Sequence, residues 1–249
     1  MSEVRHQPGD PGRRIIIALD FDTVRAAEAT VDRLGDAAKS YKVGLELLTV
    51  AGPGLAAGLV EAGKEVFLDL KLFEIPTSVA GAVRAAGRLG VTMVTVHAMG
   101  GTGIMAAAVR AAADFPGLKV LALTVVTSLT DTDLAAVGLN STVDEQVVRL
   151  ARLAQHAGCH GVVASPREAA ALRAALGPDM LIVTPGVRLP ADLTAGVTTE
   201  HSRPAHPVAA VRAGATHVII GRSLTRAADP AAVLAHLADE LGGQGRPGT

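Results

Sequence analysis

Asp69 and Lys71 stand two apart in the run EVFLDLK (65–71), among apolar residues. Two apart on a strand, their side chains point to one face. On a buried strand such charges need partners, because desolvating an unpaired charge is very costly. Asp20 ends the run RIIIALD (14–20) and Lys42 lies inside YKVGLE (41–46), so both can supply those partners. An alternating Lys–Asp–Lys array satisfies each charge while holding it out of water. The chemistry it offers is proton delivery beside a carboxylate, since lysine can hand over a proton and arginine effectively cannot. Lysine is scarce, five of the 23 basic residues, and two of the five, Lys42 and Lys71, sit within or at the carboxyl end of strand runs, where they add nothing to solubility. The same spacing also describes a plain salt bridge at a strand end, and spacing alone leaves both readings open.

Groups of this kind must be positioned by rigid elements. Eight short β-rich runs recur: 14–20, 41–46, 65–71, 91–97, 118–126, 161–165, 180–184 and 216–221. Ala-rich stretches with helical spacing lie between them, for example 24–34, 79–89 and 143–157. Each run is almost unbrokenly apolar, as expected of strands buried on both faces of a parallel sheet. Eightfold strand–helix alternation predicts a single-domain α/β protein, a (β/α)8 TIM barrel, and about 250 residues is a usual length for one. The competing architecture, an open doubly wound sheet, lacks its signature: the first strand ends in ALDFDT rather than G-x-G-x-x-G, and no Walker A sequence is present. In a barrel, chemistry sits at the carboxyl ends of the strands. Asp20, Lys42, Asp69, Lys71, His97, Thr127, Ser165 and Arg188 lie at or near those ends.

Composition narrows the classes further. The chain has 249 residues, 49% of them hydrophobic, a net charge of -1, no Trp, one Tyr and four Phe. A basic groove with stacking aromatics is therefore not expected, nor is a nucleic-acid partner. The single cysteine, Cys159, excludes an intramolecular disulfide and suits a reducing compartment. The apolar runs, such as 120–126, fall far short of the ~20 residues of a membrane span. The segment MSEVRHQPGDPGRR has no apolar stretch behind its charges, so a cytoplasmic protein is expected. Gly and Pro content suggests disordered tails at 1–13 and 242–249, with the barrel over 14–241.

Weaker signals read blandly. Gly100, Gly101 and Gly103 describe a tight turn rather than a phosphate cradle. His97 reads as a strand-end histidine satisfied by its neighbours. His156, Cys159 and His160 match no common zinc spacing, so no metal is expected. Met99 and Met105 read as packing.

The motifs taken together resemble a known family. ALDF (18–21), YKVGLEL (41–47), FLDLKLFEIPTSVAGAV (67–83), VHAMGG (96–101), LTVVTSL (123–129), TPGVR (184–188) and VIIGRSLTRAADP (218–230) are similar to the bacterial orotidine 5′-phosphate decarboxylases. The resemblance runs from about residue 14 to 240. It implies a (β/α)8 homodimer with active sites at the subunit interface. It also implies cofactor-independent, metal-free decarboxylation of orotidine 5′-monophosphate to UMP in pyrimidine synthesis.

Carried over by position, Asp20 would bind the ribose and Lys42 would join ribose and carboxylate contacts. Asp69 would face the substrate carboxylate, and Lys71 would protonate C6. Glu74 would reach into the neighbouring subunit's site. Thr127 and Ser128 would contact the pyrimidine, and Arg188, Gly221 and Arg222 would grip the phosphate. The chain departs from the family pattern in places. Glu74 replaces an aspartate, Thr77 and Ser78 replace Asn and Thr at dimer-facing substrate contacts, and His201 in Glu200-His201-Ser202-Arg203 replaces a phosphate-binding Gln. The stretch from Arg188 to His201 is some four residues longer than usual and reads as a lid over the phosphate. Two alternatives remain at this level: a superfamily relative acting on another phosphorylated substrate (a modified nucleotide or a keto sugar phosphate), or a non-catalytic nucleotide-binding barrel.

Overall fold

The computed structural model describes residues 10–189 and 205–243. Eight strands close into a parallel barrel in sequence order: β1 (Ile15–Ala18), β2 (Ser40–Gly44), β3 (Glu65–Leu72), β4 (Met93–His97), β5 (Lys119–Leu123), β6 (Gly161–Val163), β7 (Leu181–Thr184) and β8 (His217–Ile220). The helices between and after them are α1 (Val24–Leu34), α2 (Leu45–Ala51), α3 (Gly54–Glu61), α4 (Pro76–Arg88), α5 (Gly101–Ala112), α6 (Asp131–Ala136), α7 (Val143–His156), α8 (Ala169–Leu176), α9 (Pro207–Arg212), α10 (Arg222–Thr225) and α11 (Pro230–Gly242). Every expected strand is present, most with trimmed ends, while β2 begins at Ser40 and β3 runs on to Leu72. The 41–46 run turns helical after Gly44, because Gly44 is the extended N-cap of α2. The run at 118–126 leaves the ladder after Leu123.

The apolar runs divide by parity. Ile16, Ala18, Phe67, Met93, Leu121, Leu123, Val163, Leu181, Val183 and Ile219 pack together inside the barrel. Their neighbours, such as Ile15, Ile17, Tyr41, Val66, Leu68, Val94 and Ile182, pack in the layer that includes the helices. This double burial is why the strands lack a polar face. It also pushes the Tyr41 phenol up to about 12, burial acting first and nearby Asp32 second.

Caps fix where the helices begin. Thr23 caps α1, and Thr130 and Thr142 form capping boxes with Asp133 and Glu145 at α6 and α7. Each such cap stabilises its helix by about 1 kcal/mol. Pro76 opens α4 with its fixed φ, three residues before the first apolar position of the helical pattern.

Structure is also described ahead of residue 14. Pro11–Arg14 form a 3-10 turn capped by the Asp10 side chain, with Gly12 buried. A Cβ on Gly242 of α11 would meet the Pro11 ring at 3.1 Å. Arg14 donates to the carbonyls of Thr216 and Ala215, tying this entry to the start of β8. Gly and Pro content alone does not register such tertiary anchors.

Candidate functional site

The inward parity of β1, β2 and β3 carries the charges. Ala18 pairs with Lys42, Lys42 with Phe67, and Gly44 with Asp69. Asp20 follows Ala18 by two residues. The parallel ladder therefore delivers Asp20, Lys42 and Asp69 to one level at the carboxyl end. Lys42 Nζ donates to Asp20 Oδ1 at 2.9 Å and lies 3.9 Å from Asp69 Oδ2. Lys71 Nζ donates to the same Asp69 Oδ2 at 2.8 Å. Charges alternate along the chain Asp20, Lys42, Asp69, Lys71. The Lys42 and Asp69 side chains are each 11% exposed, whereas the Lys71 side chain is 35% exposed and so faces open space.

Lys71 does not arrive by simple strand alternation. The β3–β4 register runs Leu68 to Val94 and then Leu72 to Val96, so β3 carries two extra residues. Within this bulge Lys71 has φ 49°, the only non-glycine positive φ among the described residues. A lysine in that region costs roughly 1–2 kcal/mol. The shared face expected from a two-residue spacing thus gives way to a bulge that re-aims the ammonium toward Asp69.

A cavity of ≈ 270 Å³ opens over this array. Its lining includes Asp20, Lys42, Asp69, Lys71, Thr127, Gly221 and Arg222. Seven of the sequence-selected residues are therefore brought together. A Cβ on Gly221 would meet Ala18 Cβ and Asp20 Oδ2 at 3.6 Å, ordinary contact, so packing within the chain does not itself demand glycine there.

The other selected residues stand apart. Ser128 and Arg188 are exposed and outside the lining. Arg188 donates its backbone N–H to Ala205 at 2.8 Å, and Val187 bridges Ala205, so the flanks of segment 190–204 are pinned together. His201 and the proposed lid from residue 190 onward lie outside the described residues. Glu74, Thr77 and Ser78 are exposed on the β3–α4 turn and the first turn of α4, away from this cavity. Glu74 Oε1 accepts from the Ile75 N–H at 2.7 Å. A larger groove, ≈ 950 Å³, lies outside the barrel between α7 and α8, lined by Arg149, Arg152 and Arg167 with Asp144, Glu145 and Glu168. It shares no residue with the charged array.

Sequence reasoning misses Thr95, Gly44 and the Pro185–Gly186–Val187 wall. Thr95 on β4 is fully buried and touches both Asp69 and Lys71. As an ordinary strand former it gives no signal of its own. A Cβ on Gly44 would stand 3.3 Å from Lys42 Nζ, so this glycine leaves room for the ammonium.

His97 Nδ1 accepts from the Met99 N–H at 3.2 Å, and its ring lies 5.7 Å from that of Phe73. Burial, and then the positive charge of Lys71, lower its pKa, so the ring is neutral at pH 7. Cys159 is buried, and burial raises its thiol to about 12. Native protein at pH 8 is therefore expected to resist alkylation by iodoacetamide, with Cys159 reacting only after denaturation. Prompt labelling of folded protein, read by mass spectrometry, would contradict this burial. Among the described residues, no three His, Cys, Asp or Glu side chains group as a metal site.

A closed parallel barrel with its polar array at the carboxyl mouth defines a (β/α)8 protein of the kind that does its chemistry there. The chain belongs to the orotidine 5′-phosphate decarboxylase / HUMPS family, whose model matches residues 13–237. It is 49% identical over 231 residues to an orotidine 5′-phosphate decarboxylase of Anaeromyxobacter dehalogenans, covering 93% of this chain and 99% of that one. The corresponding Moorella thermoacetica protein is 48% identical over 235 residues, 92% of each chain. A crystal structure of orotidine 5′-phosphate decarboxylase from Lactobacillus acidophilus superposes with a TM-score of 0.81 at 34% identity, covering 91% of this chain and 98% of that one.

Proposed function

We propose that this protein decarboxylates orotidine 5′-monophosphate to UMP, in pyrimidine synthesis, with Lys71 as the proton donor. The observation that carries the reading is the Lys71 ammonium, held 2.8 Å from Asp69 on the cavity wall and open to it. The wall carries Lys42, Lys71 and Arg222 against Asp20 and Asp69. This net positive balance suits a substrate bearing both a carboxylate and a phosphate.

The reaction breaks the bond from C6 to the carboxyl carbon. CO2 leaves, and the electron pair stays on C6, where no adjacent carbonyl spreads it well. A fixed cation stabilises that charge as it develops, at no reorganisation cost. Lys71 then transfers a proton from Nζ to C6 and regains one from solvent. Asp69 holds the ammonium in place and faces the departing carboxylate. Asp20 and Lys42 take the ribose, Thr127 and Ser128 the pyrimidine, and Gly221 and Arg222 the phosphate, with Arg188 and His201 joining from the long loop. Phosphate binding, remote from C6, supplies energy to order the array. No step needs a metal or organic cofactor. Substrate labelled at its carboxyl carbon tests the reaction. The label should leave as CO2 in equal amount to the UMP formed, and nucleotide consumed with its label retained would sink the reading.

Glu74, Thr77 and Ser78 belong, in this reading, to the neighbouring site of a homodimer. Phe73 and Ile75, each 60% exposed, flank Glu74. Large apolar side chains around an acidic residue that its own cavity does not use support an interface there. If Glu74 crosses that interface, Glu74→Asp should keep kcat/KM at or above the wild-type value. A loss beyond ~100-fold in steady-state assays would mean the site has re-formed around the longer side chain. Among the described residues, no helix is long and apolar enough to cross a membrane. Together with the single buried cysteine, this supports a cytoplasmic enzyme.

A further inference from the structure

We infer that Thr95 is a positioning residue for the reacting pair, setting both the rotation of the Asp69 carboxylate and the backbone from which Lys71 projects. The inference rests on the reading of Asp69 and Lys71 given above.

The hydrogen-bond directions around Thr95 are fixed by chemistry. The Lys71 backbone N–H can only donate, and it lies 2.9 Å from Thr95 Oγ1. The hydroxyl therefore accepts there. Its single proton goes to Asp69 Oδ1, also at 2.9 Å, because a carboxylate can only accept. One side chain thus bridges both members of the pair with no freedom of role.

Each bond has a consequence. The first satisfies an amide that the ladder abandons. Between Leu68 and Leu72 the β3–β4 pairing is interrupted, and Lys71 sits there at φ 49°. Thr95 lies on β4 opposite the bulge, between the paired residues Val94 and Val96, and its Oγ1 takes the place of the missing ladder acceptor. A partly buried amide without that acceptor would favour a return to regular pairing, which would turn Lys71 away. The second bond clamps Oδ1, leaving Oδ2 toward the two ammonium groups, Lys71 at 2.8 Å and Lys42 at 3.9 Å. Thr95 itself is fully buried, outside the cavity lining, so it acts through Asp69 and Lys71 and not on the substrate.

Thr95→Val keeps the β-branched shape and removes the hydroxyl; Thr95→Ser keeps the hydroxyl and removes a methyl group. A misplaced reacting group costs on the order of 100-fold in rate. We expect Thr95→Val to lower kcat by ~10–100-fold while KM and UMP affinity move less than ~3-fold, and Thr95→Ser to restore kcat to within ~3-fold of wild type. Equal kcat in Thr95→Val and wild type would overturn the inference. So would a Thr95→Ser variant as slow as Thr95→Val, since packing and not the hydroxyl would then be the cause. A rise in KM with unchanged kcat would likewise place Thr95 in substrate binding. If the wild-type protein does not convert orotidine 5′-monophosphate, the functional reading fails, and the inference with it; a normal wild type beside a normal Thr95→Val removes the inference alone.

Discussion

Lys71→Ala should leave a folded protein that binds UMP and turns over orotidine 5′-monophosphate at least ~10⁴-fold more slowly. Two contributions are lost together. A positioned proton donor is worth ~10²–10⁴-fold, and a cation aimed at developing charge ~10²–10³-fold. They act on the same carbon in consecutive moments, so the losses do not simply multiply. Folding should survive, because the Lys71 side chain is 35% exposed and the substitution also removes an ammonium from the bulge. UMP binding should survive because the proposed phosphate grip at Gly221 and Arg222 follows β8, three strands from β3 around the barrel. Steady-state kinetics with circular dichroism and UMP titration check all three. Retention of more than a few per cent of kcat would remove Lys71 from its role.

Asp69→Asn should be the second most damaging change. It keeps size but removes the charge between two ammonium groups, and it replaces one of the two accepting oxygens with a donating amide. The Asp69 carboxylate accepts from Lys71 and Thr95 and lies 3.9 Å from Lys42 Nζ. Without its charge the two lysines repel, and Lys71 is no longer held toward the cavity. A kcat loss of ~10²–10³-fold is expected from the misplaced proton donor. Breaking a buried ion pair commonly costs ~3–5 kcal/mol. Here the cost should fall below that range, since Lys42 keeps Asp20 at 2.9 Å and Lys71 is partly solvated. Urea unfolding measures the stability change, and steady-state assays the rate. A variant with normal kcat would show that Lys71 needs no anionic partner.

The barrel was legible because double burial makes each strand a conspicuous apolar run, and eight runs in alternation with helices leave few other architectures. Asp20, Lys42 and Asp69 were legible for the same reason: a charge inside such a run needs a partner, and parallel pairing puts the partners level. The bulge at Lys71 was not. Its left-handed backbone has no glycine or asparagine to announce it, and its support comes from Thr95, 24 residues away. Thr95 is invisible on its own because threonine is at home in any strand. Glu74, Thr77 and Ser78 are a different case. Within the described chain they are solvent-exposed polar residues, and their site belongs to the homodimer proposed above. Composition also carries no sign of the 3-10 turn at Pro11–Arg14, because its contacts are with α11 and the start of β8, some 200 residues away in sequence.

The central claim is that this barrel decarboxylates orotidine 5′-monophosphate with its own side chains. The direct measurement is the ultraviolet absorbance change on mixing the purified protein with that nucleotide in the presence of EDTA. The account predicts complete conversion to UMP at a rate that EDTA does not alter. An unchanged spectrum from a protein that still binds UMP would contradict it, and would mean that the barrel serves another substrate or binding alone.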